Sequence, residues 1–220
     1  MQKWMIFSSV LVLFAACTNA PEGQKVEATQ AETAVEQPNA QATSYRVNTA
    51  ASTIEWQGTE PSGDGHYGVI GIQGGSLRVV GDQISGGTFV LDMNSISVSD
   101  LTGGKKEKLE SHLKDGDFFE TNRFPSGKFE ITAVEAVSGN PEITHNITGN
   151  LTLRDTTKSI TIPAQVSLAD GSLTAVTPKF TIDRTQWGVV YRSGLIGTLK
   201  DKLIDDQIGL KIKLEAQKVN

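Results

Sequence analysis

Cysteine, long hydrophobic runs and catalytic motifs are all scarce in this chain. Its 220 residues include one cysteine, Cys17, so the fold receives no intrachain disulfide. Proline is sparse at 7 residues, whereas 22 glycines suit many turns between strands more than disorder. The net charge is −5, and no basic block is present to neutralise phosphates, which argues against a nucleic-acid partner.

The motifs of common catalytic and metal sites are missing too. Gly63–Gly68 has no serine at the centre of a G-x-S-x-G elbow, and Gly71–Gly75 lacks the following Lys-Ser/Thr of a phosphate loop. The three histidines, His66, His112 and His145, lack the close spacing of metal-ligand motifs. These absences favour a binding protein over an enzyme, and they predict neither a metal site nor a resident cofactor.

The N-terminus is typical of a bacterial lipoprotein signal. Lys3 supplies a positive start, and the apolar stretch Trp4–Ala16 is shorter than the ~20 residues that span a bilayer. Small residues precede Cys17, as a signal peptidase requires. We expect residues 1–17 to be a signal peptide and Cys17 to become the acylated lipid anchor. An ordinary secretory signal that contains a cysteine is the alternative.

Residues 18–43 have the composition of a disordered tether. They contain no aromatic residue and little aliphatic character, and Ala, Gln, Glu, Thr, Asn and Pro dominate. Such a stretch cannot bury enough apolar area to offset its ordering entropy. With an r.m.s. length of ~5–6 Å times √n, it would hold the following domain roughly 25–30 Å from the membrane.

From Tyr45 onward, apolar and polar residues alternate with the period of β-strands. The clearest segments are Ser159–Leu168 and Ile208–Ala216, which we predict to be half-buried antiparallel strands. Weaker strands are expected at Thr53–Gly58, Gly86–Met93, Lys128–Val134, Ile147–Leu153 and Leu173–Ile182. One segment, Lys105–Lys114, predicts a helix, because Leu109 and Leu113 share one face. This element set is typical of an all-β closed antiparallel barrel or a sandwich.

Four segments together resemble the YceI family of bacterial secreted and periplasmic proteins. The strongest, Leu109–Phe119, is similar to the family's L-x-x-H-L-K-x-x-D-F-F signature. Tyr45–Trp56 resembles the opening strand of the family. Gly149–Pro163 resembles its segment with the G-x-L-T-L and T-K motifs. Phe180–Gly188 resembles its F-x-x-x-R-x-x-(aromatic)-G segment. They occur in the family's order from Tyr45 to the C-terminus.

The resemblance implies a lipocalin-like closed antiparallel β-barrel of about eight strands with one short α-helix over residues 44–220. Its elongated interior would hold a long isoprenoid chain, such as a quinone-type lipid. His112 is expected either to orient a polar head group or to be a hydrogen-bonded structural residue. The candidate ligand contacts are Trp56, Phe89, Leu113, Phe118, Phe119, Phe129, Phe180 and Trp187.

The resulting prediction is a lipid-anchored, non-enzymatic protein that carries or stores an isoprenoid lipid. Two other functions stay open. A lipid-modifying enzyme would use His112 with a neighbouring carboxylate, and a structural surface lipoprotein would have a filled core. Inward apolar residues look the same whether they enclose a cavity or fill it.

We expect the protein in the envelope of a Gram-negative bacterium, at the periplasmic face of the outer membrane or at the cell surface. Asn19 stands near Cys17 in place of the aspartate associated with inner-membrane retention, which favours the outer membrane. The expected partners are the isoprenoid lipid and the membrane that holds the anchor. A homodimer is left open.

Overall fold

The computed structural model of the chain describes residues 20–33, 41–199 and 203–219. The predicted signal peptide and its Cys17 lie outside the described residues, as do residues 18, 19 and 34–40 of the predicted tether. Within the described residues, no helix is long and apolar enough to cross a membrane.

Strands dominate the described part of the chain, as the period-two pattern predicts. In chain order they are β1 (Gln24–Lys25), β2 (Thr29–Gln30), β3 (Thr43–Val47), β4 (Thr53–Thr59), β5 (Gly65–Val80), β6 (Gln83–Val98), β7 (Ser126–Ala136), β8 (His145–Leu153), β9 (Thr156–Ala169), β10 (Ser172–Val176), β11 (Phe180–Asp183) and β12 (Gln207–Lys218). The helix α1 (Gly103–Lys114) follows β6, and short 3-10 turns occupy Arg184–Trp187 and Gly194–Ile196.

A closed ring is the central feature of the sheet. Neighbouring strands in the order β4, β5, β6, β7, β8, β9, β10 and β12 are antiparallel, and β12 pairs with β4 to close the ring. Strand β3 pairs with β5 and β12, and β11 pairs with β12. The predicted all-β, lipocalin-like barrel with one short helix is therefore confirmed, and the sandwich is not formed.

The inward residues of the ring form its core. On β9 the predicted inner face is buried at Ile160, Ile162 and Ala164, and on β12 it is buried at Leu214 and Ala216. Strands β5 and β6 are the longest, with 16 residues each, and register shifts interrupt their pairing. Such irregularities increase local bending and twist, which lets long strands follow a closed wall.

Helix α1 lies at what we call the Thr59 end of the ring, where β4, β6, β8 and β11 finish. It begins two residues before the predicted Lys105 and ends at Lys114 as predicted. Leu113 is buried and Leu109 packs half-buried against the core. Glu110 Oε1 accepts a hydrogen bond from the Val98 N–H at 2.8 Å, which holds the helix to the end of β6.

Residues 20–33, which we call the strap, are docked on the ring. Strand β1 lies parallel to Phe180–Thr181 of β11, and β2 lies antiparallel to Lys158–Ser159 of β9. Val26 between them is 5% exposed, and its N–H donates to Thr181 O at 2.8 Å. The prediction of a disordered tether is wrong for these residues, because two strand edges supply hydrogen-bond partners that composition does not reveal.

The strap occupies a seam in the wall of the ring. Among the described strands, β9 pairs with β10 and β11 pairs with β12, but β9 and β11 do not pair with each other. The far end of the strap is fixed by Glu32, whose N–H donates to Asn150 Oδ1 at 2.9 Å while Asn150 Nδ2 donates to Glu32 O at 2.6 Å. The strap therefore completes the wall where the ring leaves two edges open.

Val26→Ala should lower the free energy of unfolding by about 1–3 kcal/mol, because it removes apolar atoms that the strap buries against the core. Urea unfolding of residues 18–220 measures this loss. Val219→Ala is the matched control, since Val219 is 41% exposed, and it should change stability by less than ~0.5 kcal/mol. Equal stability of the two variants would show that the strap does not support the fold.

Candidate functional site

A cavity of about 560 Å³ lies inside the ring. This volume is within the ~300–1,000 Å³ range of small-molecule sites. The lining is predominantly aliphatic and aromatic, and all eight ring strands contribute to it. Examples from successive strands are Ile54, Ile72, Leu91, Ile131, Leu151, Ile162, Leu173 and Leu214. The core is therefore not completely filled by its own side chains.

Most residues that the sequence predicts as ligand contacts line this cavity. They are Trp56, Phe89, Leu113, Phe118, Phe119, Phe129 and Phe180. Phe118 is buried and Phe119 is half-buried just after α1, so this pair forms part of the cavity wall at the Thr59 end. Contact of these residues with a bound molecule stays a prediction.

Trp187 is placed differently from the other candidates. It is not among the described residues that line the cavity, and it is completely buried in the 3-10 turn Arg184–Trp187. Its Nε1 donates to Leu151 O at 2.9 Å, which joins this turn to the end of β8. The structure therefore supports a packing role for Trp187 and gives no support to a ligand contact.

Aliphatic residues form most of the cavity wall. The sequence analysis names mainly aromatic residues as ligand contacts and includes few of these aliphatic ones. Ile160, Ile162 and Ala164 on β9 and Ile208 and Leu210 on β12 all line the cavity. The alternation that predicts these strands already places them on one inner face. The sequence signal was present, but it does not distinguish a wall from a filled core.

His112 is a half-buried residue of α1 and is not among the described residues that line the cavity. Its ring centroid is 5.1 Å from that of Phe118 and 4.9 Å from that of Tyr191, both in edge-on geometry. Its Nε2 lies 3.1 Å from Asp117 Oδ2, at the surface. His112 thus has a carboxylate partner, but Phe118 is the residue of this cluster that meets the cavity. This geometry supports positioning of Phe118 more than contact with a ligand head group.

Polar residues line the cavity at the Thr59 end. Thr59, Glu60, Asp64 and His66 belong to the β4–β5 hairpin, and Arg184 begins the turn after β11. The sequence analysis singled out none of these as ligand contacts. The local sequence of a hairpin loop or of a strand end does not indicate that the two segments lie together at a cavity.

Arg184 is the most deeply buried charge at this end, with 3% of its surface exposed. Its Nε donates to Asp205 O at 3.0 Å, and its Nη1 donates to Val189 O at 2.8 Å. Its Nη2 donates to Ile204 O at 3.1 Å and to Asp206 Oδ1 at 3.2 Å. Burial lowers the pKa of the guanidinium, and the carboxylate of Asp206 opposes this shift. Arg184 therefore joins Val189 to residues 204–206 at the Thr59 end.

His66 and Asp100 form a second polar pair at the rim. His66 Nδ1 lies 2.8 Å from Asp100 Oδ2, and the Tyr67 N–H donates to Asp100 Oδ1 at 3.2 Å. Burial raises the pKa of Asp100, but the hydrogen bonds from His66 and from backbone N–H groups outweigh it and leave the pKa below its ordinary value. Asp100 is therefore ionised at neutral pH. In residues 20–33, 41–199 and 203–219, no group of three or more His, Cys, Asp or Glu residues could hold a metal ion.

An exposed apolar loop lies beside the same end. Leu195, Ile196 and Leu199 are 72%, 59% and 67% exposed. Asp205, which follows this loop in the chain, is held at the cavity rim, because its N–H donates to Thr59 O at 2.8 Å. Large apolar side chains that are exposed together are typical of surfaces that contact a membrane or another protein.

This fold is also found in other proteins whose structures have been solved. BcnA of Burkholderia cenocepacia matches with a TM-score of 0.58 at 16% sequence identity, over 77% of this chain and 98% of that chain. A polyisoprenoid binding domain from Saccharophagus degradans, implicated in plant cell wall breakdown, matches with a TM-score of 0.58 at 13% identity, over 80% of this chain and 99% of that chain. At these identities the likeness concerns the fold alone.

Relatives in sequence match over part of their length. A UPF0312 protein of Shewanella denitrificans is 31% identical over 138 residues, which are 63% of this chain and 60% of that protein. A UPF0312 protein of Pseudomonas paraeruginosa is 35% identical over 105 residues, 48% of this chain and 44% of that protein. The chain thus spans about half the length of these relatives. The sequence profile of the YceI-like domain matches residues 45–216, so the chain belongs to the YceI family.

Proposed function

We propose that this protein is a non-enzymatic carrier or store that holds a long isoprenoid-type lipid inside its ring. The apolar cavity carries this proposal, because it offers a hydrophobic wall on every ring strand. Burial of a few hundred Å² at ~25 cal/mol per Å² contributes several kcal/mol before ordering costs are subtracted. The polyisoprenoid binding domain from Saccharophagus degradans, with which the chain shares its fold, supports this ligand class.

The proposal includes the membrane anchor. The leader sequence and Cys17 would attach the protein to the envelope, with the outer membrane as the site of attachment. Several acyl chains, at ~0.8 kcal/mol per buried methylene, would make this attachment effectively permanent. A carrier that works at a membrane also accounts for the exposed apolar loop at Leu195, Ile196 and Leu199.

Residues 18–220 purified from a bacterial host should carry a stoichiometric isoprenoid, seen by native mass spectrometry and identified after organic extraction. Filling the cavity should remove it. Ala164→Leu and Ala175→Leu each add apolar bulk at a residue that lines the cavity, and both should reduce lipid occupancy several-fold.

Ala133→Leu serves as the control for this experiment, because Ala133 is an exposed residue of β7, and its lipid occupancy should match that of the wild type. A wild-type protein that is free of lipid, and stays so after incubation with polyprenols and quinones, would exclude the carrier function.

A pair of tryptophan variants tests which aromatic residues meet the lipid. Trp56→Phe and Trp187→Phe each remove one indole hydrogen bond, to Ser97 O and to Leu151 O respectively. Trp56→Phe should weaken lipid binding by about threefold to tenfold, because Trp56 lines the cavity. Trp187→Phe should leave the Kd within about twofold while it lowers the free energy of unfolding by ~1 kcal/mol. Equal losses of affinity would contradict this division of roles.

The exposed loop should control the rate of lipid exchange with membranes. Replacing Leu195, Ile196 and Leu199 together with serine should slow transfer of a fluorescent polyprenol from vesicles by about tenfold or more, because the loop can no longer insert apolar side chains at the interface. The equilibrium Kd for the same lipid in detergent should stay unchanged. Unaltered transfer would argue that lipid enters without help from this loop.

A further inference from the structure

One buried polar atom at the cavity has no partner in the protein. Thr59 is 6% exposed and lines the cavity. Among the side chains of the described residues, its Oγ1 is the buried nitrogen or oxygen atom that lacks a hydrogen bond. A buried hydroxyl without a partner costs free energy, and native proteins generally avoid it unless something else satisfies the group.

The backbone around Thr59 is fixed, so this hydroxyl is not part of a loose loop. Thr59 O accepts a hydrogen bond from the Asp205 N–H at 2.8 Å, and Thr59 is paired with Gly65 across the hairpin. Rotation about χ1 decides whether the hydroxyl or the methyl group faces the cavity. A hydroxyl can both donate and accept, so it suits an alcohol or a carbonyl oxygen equally well.

Charge around the same end opposes an anionic ligand. The carboxylate-bearing residues Glu60 and Asp64 line the cavity there. The nearby cation, Arg184, is engaged by protein acceptors through Nε, Nη1 and twice through Nη2, so four of its five N–H groups are in use. One remaining N–H cannot form the two-pronged contact by which arginine binds phosphate.

We infer that the Thr59 end of the cavity is a head-group site for an uncharged oxygen function, an alcohol or a quinone-type carbonyl, and that it rejects phosphorylated heads. The inference rests on the proposed lipid-binding function, which it deepens by selecting among isoprenoid lipids. Thr59 is the specificity-determining residue, because its hydroxyl forms a hydrogen bond with the oxygen of the lipid head group. The acidic residues Glu60 and Asp64 repel phosphate.

Three ligands that differ in the head group separate these claims: geranylgeraniol, geranylgeranyl diphosphate and the hydrocarbon squalene, which has no head group. Binding is measured by isothermal titration with residues 18–220 after delipidation. The wild type should bind geranylgeraniol at least about tenfold more tightly than the diphosphate, because the acidic residues Glu60 and Asp64 lie at the head-group end of the cavity.

Thr59→Val should weaken geranylgeraniol binding by about threefold to tenfold and leave squalene binding within about twofold. Thr59→Ser retains the hydroxyl and should bind geranylgeraniol like the wild type. The Tm of the lipid-free Thr59→Val protein should be equal to or higher than that of the wild type, because the variant removes an unpaired buried hydroxyl. Unchanged squalene binding also shows that the variant is folded.

A second variant tests the electrostatic part. The double substitution Glu60→Gln and Asp64→Asn should tighten diphosphate binding several-fold and so narrow the preference for geranylgeraniol, because the repulsion of phosphate is removed. The inference is overturned if Thr59→Val binds geranylgeraniol as the wild type does, or if the wild type prefers the diphosphate. In both cases retained squalene binding leaves the proposed function intact, whereas failure of all three ligands to bind overturns both.

Discussion

Strand β12 hydrogen-bonds to neighbours along both of its edges, and this double pairing turns a twisted sheet into a closed ring. On one side it meets β3 and β4, and on the other it meets β10 and β11. Closure directs alternate residues of every ring strand to one interior, which leaves an apolar cavity. Because β10 and β11 pair with the same edge of β12, ring closure also leaves the seam that the strap fills.

The charged residues that line the cavity lie at one end of it, and that end is organised by Arg184. A buried guanidinium is stable only when its donors are satisfied, and here oxygens of Val189 and of residues 204–206 accept four hydrogen bonds. The same contacts hold the exposed loop beside the hairpin that contains Thr59. One buried charge therefore fixes the rim of the cavity, the polar residues on that rim and the apolar surface next to it.

The sequence predicts features that repeat along the chain and misses features that depend on distant partners. Alternation places Ile160, Ile162 and Ala164 on an inner face because the period of a strand is a local property. Trp187 follows a strand, so the sequence predicts that it points into the ring. It lies instead in a 3-10 turn, where its Nε1 donates to Leu151 O.

The strap and the Thr59 hydroxyl illustrate the same limit. The composition of residues 20–33 indicates disorder, yet strands more than 100 residues away bind the segment. An unpaired hydroxyl can be identified only after every possible partner has been placed. Neither feature has a signature within its own stretch of sequence.

The docking of the strap would shorten the distance between the ring and a membrane that holds the proposed anchor. Pro21 is buried next to Gly209, which pairs with Gln57 near the Thr59 end. Three residues, 18–20, then separate the proposed anchor at Cys17 from Pro21 at the ring wall. The four Cα–Cα steps between them span at most ~14 Å, where a free tether would allow roughly 25–30 Å. An acylated Cys17 would therefore hold the cavity rim close to the bilayer surface. The anchor would set orientation as well as location, and a lipid that leaves the membrane would meet the rim without crossing a layer of water.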